Sequence, residues 1–138
     1  MLRNDRELKA AKKQLSKLNE LYETQMKDLK QKGLTEEQAK DSLSSSFTYA
    51  RQCQEEIELY EKLKKGELPP ENAFSTRGKY FVAARIARGM TQRELALKLG
   101  AKESSVSRDE RNEYHGISME KMDKLAAVLD LKVLIESA

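Results

Sequence analysis

This chain of 138 residues holds one cysteine, one histidine and two prolines, which stand side by side. With Cys53 alone no intrachain disulfide can form, which fits a reducing cytoplasm. One histidine and one cysteine are too few for a protein-only zinc site. There is no phosphate-binding glycine loop, no histidine-carboxylate cluster and no nucleophile beside a base. No cofactor, metal or catalytic activity is therefore expected. No run approaches the ~18 consecutive apolar residues of a membrane span. Met1 to Arg6 lead straight into charged helical sequence without the apolar stretch of a signal peptide, so a cytoplasmic protein with no membrane partner is expected.

What the chain has in quantity is charge, 36% of its residues, with a net value of only +3. The distribution says more than the total. Between Arg77 and Arg111 there are nine basic residues against four acidic ones, a local net of +5, whereas residues 112 to 138 carry three basic and five acidic side chains. A positive patch of that kind is the electrostatic footprint expected for phosphate backbones. A solvated mixed-charge surface is the plain alternative.

Apolar spacing divides the chain at "KKGELPPENAFS". From Asp5 to about Lys32, Leu8, Ala11, Leu15, Leu18, Tyr22 and Leu29 recur at three- and four-residue steps. They predict an amphipathic helix of ~28 residues, roughly 42 Å long, which Gly33 closes. Thr35-Glu36-Glu37-Gln38 reads as a capping box. The second helix it opens puts Leu43, Phe47, Ala50, Cys53, Ile57, Tyr60 and Leu63 on one stripe and ends at Gly66, with a weak point at Ser44-Ser45-Ser46. Two helices of matched length make an antiparallel hairpin over residues 1–66. Such a hairpin leaves the flanks of both stripes wet, so a twofold pairing with a second copy is expected, through Leu15, Leu18, Tyr22, Leu43, Ala50 and Ile57. Folding back on the rest of the chain is the alternative. Cys53 on the stripe reads as a small buried hydrophobe.

Leu68-Pro69-Pro70 cannot continue a helix, and residues 67–76 read as a linker to a second domain at 77–138. There, Ser75 or Thr76 can cap a helix reaching about Arg88, with Phe81, Ala84 and Ile86 inward, although Gly78 unsettles its first turn. Thr91-Gln92-Arg93-Glu94 is another capping box. The helix it starts buries Leu95, Ala96 and Leu99 and stops at Gly100, where a positive φ allows a sharp change of direction. Around Glu103 a further helix begins whose one strongly apolar member is Val106, so Ser104, Ser107, Arg108 and Arg111 point outward. Ser118 caps a last helix lined by Met119, Met122, Leu125, Ala126 and Leu129. The tail "DLKVLIES" alternates and is β-branched, favouring a short strand over a fifth helix. A lone strand needs a partner, which a twofold mate would supply.

Arg85, Gly89, Thr91-Gln92, Glu94-Leu95-Ala96, Leu99-Gly100, Val106-Ser107-Arg108, Glu110, Leu125-Ala126 and Leu129 together resemble the Cro/phage-repressor, or Xre-type, helix-turn-helix family. The likeness covers about 55 to 60 residues. It implies a compact domain of four to five helices whose third enters the major groove of double-stranded DNA while the preceding one crosses the backbone. By this resemblance Lys102, Glu103, Ser104, Ser107 and Arg108 face bases. Gln92, Arg93, Arg111, Asn112 and Tyr114 fall to phosphate, with a core anchor as the other reading of Tyr114. Arg85 and Glu110 stand where members form a buried ion pair. Asp109 departs from the pattern, which has an apolar residue there, and "NEYHG" lacks the proline often found after this turn. His115 reads as an ordinary loop histidine. The expectation is an all-α, dimeric transcriptional repressor on an inverted-repeat operator. The rival is an antitoxin or adaptor whose hairpin binds a toxin or another protein.

Overall fold

The computed structural model describes all 138 residues and contains seven α-helices, one 3-10 turn at Glu71–Ala73 and no strand. The helices are α1 (Asp5–Gln31), α2 (Glu36–Ser42), α3 (Ser44–Lys64), α4 (Arg77–Ala87), α5 (Gln92–Leu99), α6 (Glu103–Arg111) and α7 (Met119–Val128). None is long and apolar enough to cross a membrane. The chain divides into two compact units, Leu2–Leu59 and Tyr60–Ala138, Met1 grouping with the second. The division falls inside α3. Tyr60 and Leu63, on the stripe that suggested a hairpin residue, thus belong to the C-terminal unit, where both are buried.

In the N-terminal unit Asn4 caps α1, its Oδ1 accepting from the Glu7 amide at 2.8 Å. The Thr35 and Gln38 side chains satisfy each other's backbone amides and start α2, a full capping box. The second arm breaks at Leu43, one residue before the three serines, so it is built from α2 and α3 rather than one helix. Gln14 donates to the Tyr49 hydroxyl at 2.8 Å, and the Tyr22 and Phe47 rings lie 6.0 Å apart between centroids. The Cys53 thiol lies against the Ala11 carbonyl. Partners thus descend along α3 as they ascend along α1, and the two helices run antiparallel. Burial, and secondarily Glu56, push the Cys53 thiol up, which leaves it a poor nucleophile.

Only Met26, Ala39 and Ile57 are buried in this unit, while Leu21 and Phe47 remain 53% and 55% exposed. A pair of helices has one seam to close, and here that seam covers few side chains completely.

The C-terminal unit is a four-helix cluster in which α5 packs on α6 and α7, and α4 packs on α6. Its core is Phe81, Val82, Ala84 and Ile86 from α4, Leu95 and Ala96 from α5, Val106 from α6, and Leu125, Ala126 and Leu129 from α7. Thr76 is the residue that caps α4, accepting from the Lys79 amide at 3.2 Å. Gly78 in its first turn is a packing requirement: a Cβ there would lie 1.8 Å from the Glu113 carbonyl oxygen. The loop after α6 therefore rests directly on the α4 backbone. Beside that contact, the Thr76 hydroxyl donates to Glu113 Oε2 at 3.0 Å.

Two expectations fail. Met119, expected on the core face of α7, is 70% exposed, because as the first helical residue it projects beyond the packed faces. The tail from Leu131 onward adopts neither strand nor helix, since an all-α chain holds no strand edge to pair with.

Candidate nucleic-acid interface

Local signals set the entrance and exit of the α5–α6 corner. Thr91 Oγ1 accepts from the Glu94 amide at 3.1 Å, and Glu94 Oε2 accepts from the Thr91 amide at 2.8 Å. Gly100 closes α5 in the left-handed region, at φ 65° and ψ 31°, and the Ala101 amide returns to the Ala96 carbonyl at 2.9 Å. Three residues on, α6 starts in a new direction. α5 and α6 are thus two separate helices packed on each other across the Gly100 corner.

One side of α6 is locked. Val106 and Glu110, one turn apart, are both buried. Arg85, 2% exposed, donates from Nη2 to Glu110 Oε2 at 3.0 Å and from Nη1 to the Met90 carbonyl at 2.7 Å, while its Nε pairs with Glu110 Oε1. Glu110 Oε2 also receives Gln92 Nε2 at 2.7 Å. The carboxylate thus has three side-chain donors from two other helices, the satisfaction a buried charge requires. This revises the expectation for Gln92. Its amide turns inward to complete the ion pair instead of standing free for phosphate, because the second carboxylate oxygen needed another donor.

Asp109 faces α7, where it forms an ion pair with Lys121, while its carbonyl accepts from the Tyr114 amide at 2.8 Å. An ion pair thus takes the place of the apolar contact the family pattern has at this position. α6 runs on undisturbed to Arg111. Tyr114 is a core anchor, 6% exposed and edge-on to Phe81 at 5.9 Å between centroids, and not the phosphate donor expected as the first reading. Glu113 and Tyr114 hold consecutive left-handed conformations, at φ 52° and 54°, which drive the ring inward. Burial, with Glu110 second, pushes the Tyr114 hydroxyl well above its usual range, and it has no protein partner. Tyr114→Phe should therefore raise stability by about 1 kcal/mol, since it removes an unpaired buried hydroxyl. Thermal unfolding checks this, and a lower midpoint would mean that the hydroxyl is bonded.

The other side of α6 is open. Lys102, Glu103, Ser104, Arg108 and Arg111 are exposed and Ser107 is half-buried. At 100° per residue Ser104, Ser107, Arg108 and Arg111 fall within one arc. The side chains of Arg108 and Arg111 form no ion pair or hydrogen bond within the chain. Arg93 on α5 is likewise exposed, and Asn112 caps α6 with its side-chain amide 3.4 Å from the His115 carbonyl. Among the residues expected to join two copies, Leu15, Leu18, Tyr22, Leu43 and Ala50 are half-buried. Ile57, 4% exposed, is spent within the single chain.

Three features escaped the sequence reading: the inward turn of Gln92, the Asp109–Lys121 bridge and the seating of Glu113 on α4. Gly78 was the one available signal for the last of these. No curated protein and no solved structure matches the chain. Residues 82–134, somewhat over a third of its length, match the family model described as helix-turn-helix, a span that takes in α5, the Gly100 corner, α6 and α7. The match lies wholly within the C-terminal unit, which thus contains a helix-turn-helix of the kind found in DNA-binding regulators.

Proposed function

We propose that this protein is a transcriptional repressor that binds an inverted-repeat operator as a dimer. The observation that carries the reading is the outer arc of α6, where Arg108 and Arg111 have no partner in the chain while Val106 and Glu110 pin the opposite side. A helix held on one face and presenting hydroxyls and guanidinium groups on the other suits a major groove lined with base edges. In this reading Ser104, Ser107 and Arg108 meet bases, and Lys102 supplies charge. Glu103 either accepts from a cytosine amino group or repels wrong sites. Arg93, Arg111 and Asn112 hold phosphate. The incompletely covered hairpin, with Leu21 and Phe47 exposed, supports its use in pairing two copies. The same exposed residues also favour a second reading, in which the hairpin holds a partner protein such as a toxin.

The test is binding of the full chain to the DNA upstream of its own gene, titrated against salt. A repressor shows sequence preference, half-site centres about one helical turn (~34 Å) or a multiple of it apart, and a log-log salt slope of roughly −0.9 for each neutralised phosphate. A chain that shows neither preference nor slope is an adaptor.

A further inference from the structure

The last backbone hydrogen bond of the chain runs from the Leu131 amide to the Ala126 carbonyl at 2.8 Å. From Lys132 onward no main-chain amide finds a partner. This segment is also the most apolar exposed stretch of the C-terminal unit, with Val133 39%, Leu134 74% and Ile135 86% exposed. The residues that begin it, Leu131 to Leu134, line a small open pocket of about 70 Å³ together with Tyr80, Phe81 and Met122. An alternating segment with unpaired amides calls for a strand edge, and the chain contains no strand.

We infer that residues Leu131 to Ser137 pair with the same segment of a second copy, as a two-stranded antiparallel ribbon whose twofold axis passes between the two Leu134 residues. The inference rests on the dimeric reading above and names a surface for it. Its basis is self-complementarity. With Leu134 on the axis, Lys132 of each copy stands opposite Glu136 of the partner subunit, giving two symmetric charge pairs. On the other face Val133 meets Ile135, again twice. Moving the axis by half a residue or one residue either way sets Lys132 against Leu134, Ile135, Ser137 or Ala138 and loses both charge pairs. Parallel pairing in register puts lysine beside lysine and glutamate beside glutamate. One register alone satisfies charge and apolar content together, which is how a short ribbon fixes its alignment. An isolated two-stranded ribbon is marginal in water. Here Leu131 and Val133, which share a face, already line the pocket beside Tyr80 and Phe81, so the start of the ribbon has a surface to rest on.

Cross-linking of the full-length chain in a Cys53→Ser background tests the register directly. Under mild diamide oxidation Leu134→Cys should form an interchain disulfide at least about tenfold faster than Ser137→Cys, since only residue 134 faces its own copy at disulfide distance. Val133→Cys alone should cross-link slowly, and a mixture of Val133→Cys and Ile135→Cys chains quickly. Charge reversal gives a second arm at low salt. Lys132→Glu and Glu136→Lys should each weaken self-association about tenfold, while the double reversal restores it. Sedimentation equilibrium of the unaltered chain separates the two levels. A monomer overturns both the dimer and the ribbon; a dimer in which Leu134→Cys cross-links no faster than Ser137→Cys overturns the ribbon alone.

Discussion

Arg85→Ala is expected to cost about 3 to 5 kcal/mol of folding stability, because it removes the main partner of a carboxylate buried in the helix-turn-helix unit. Glu110 would keep only the Gln92 amide, at 2.7 Å, and would lose both guanidinium contacts in a site without solvent access. For a domain of this size such a loss lowers the thermal midpoint by roughly 15 °C or more. The Arg85 side chain is 2% exposed and cannot reach a duplex, so any loss of DNA binding in this variant follows from the lost fold. Thermal unfolding followed by circular dichroism reads the effect directly. A companion variant isolates the cause. Replacing both partners by apolar residues of similar volume, Arg85→Met with Glu110→Leu, should recover most of the lost stability, since the penalty comes from an unpaired buried charge. If Arg85→Ala unfolds at the original midpoint, the pair contributes nothing to the fold.

That ion pair also marks the boundary of what the sequence discloses. Helix starts were readable at Thr35, Thr91 and Ser118 because a cap is an interaction between residues three apart, and spacing alone reveals it. The same holds for the turn at Gly100, where one residue type meets one backbone conformation. The buried side of α6 was visible as the single valine among polar neighbours. Partnerships across longer separations were not readable from local pattern. Glu113 finds Thr76 and the Gly78 backbone, while Asp109 finds Lys121, through the packing of whole helices. Gln92 shows the limit most plainly: helix position made it a candidate for phosphate, but a second oxygen on Glu110 drew its amide inward. The stripe on α3 misled for a related reason. Periodicity says that Tyr60 and Leu63 are buried, and they are, but it does not say in which unit. The tail presents the reverse case, a strand pattern with no edge to pair with in its own chain.

Arg108→Ala should separate reading of sequence from attraction to phosphate. The residue lies in the last turn of α6, exposed and without a partner in the chain, in the same arc as Ser104. A guanidinium in that place can donate two parallel hydrogen bonds to guanine O6 and N7, a contact that gives about 1 to 3 kcal/mol of discrimination. The variant should therefore bind its operator roughly 5- to 150-fold more weakly, and nonspecific duplex only slightly more weakly, since one charge among several is lost. The thermal midpoint should not move, which distinguishes this substitution from Arg85→Ala. Arg111→Ala offers the contrasting signature. As a phosphate contact one turn further along the helix, it should weaken specific and nonspecific binding by similar factors and reduce the salt slope by about one unit. Competition titrations with operator and random duplex, each at two or more salt concentrations, decide between these patterns. Equal losses in both duplexes for Arg108→Ala would make that arginine a positioning contact and move base recognition to Ser104, Ser107 and the N-terminal turn of α6.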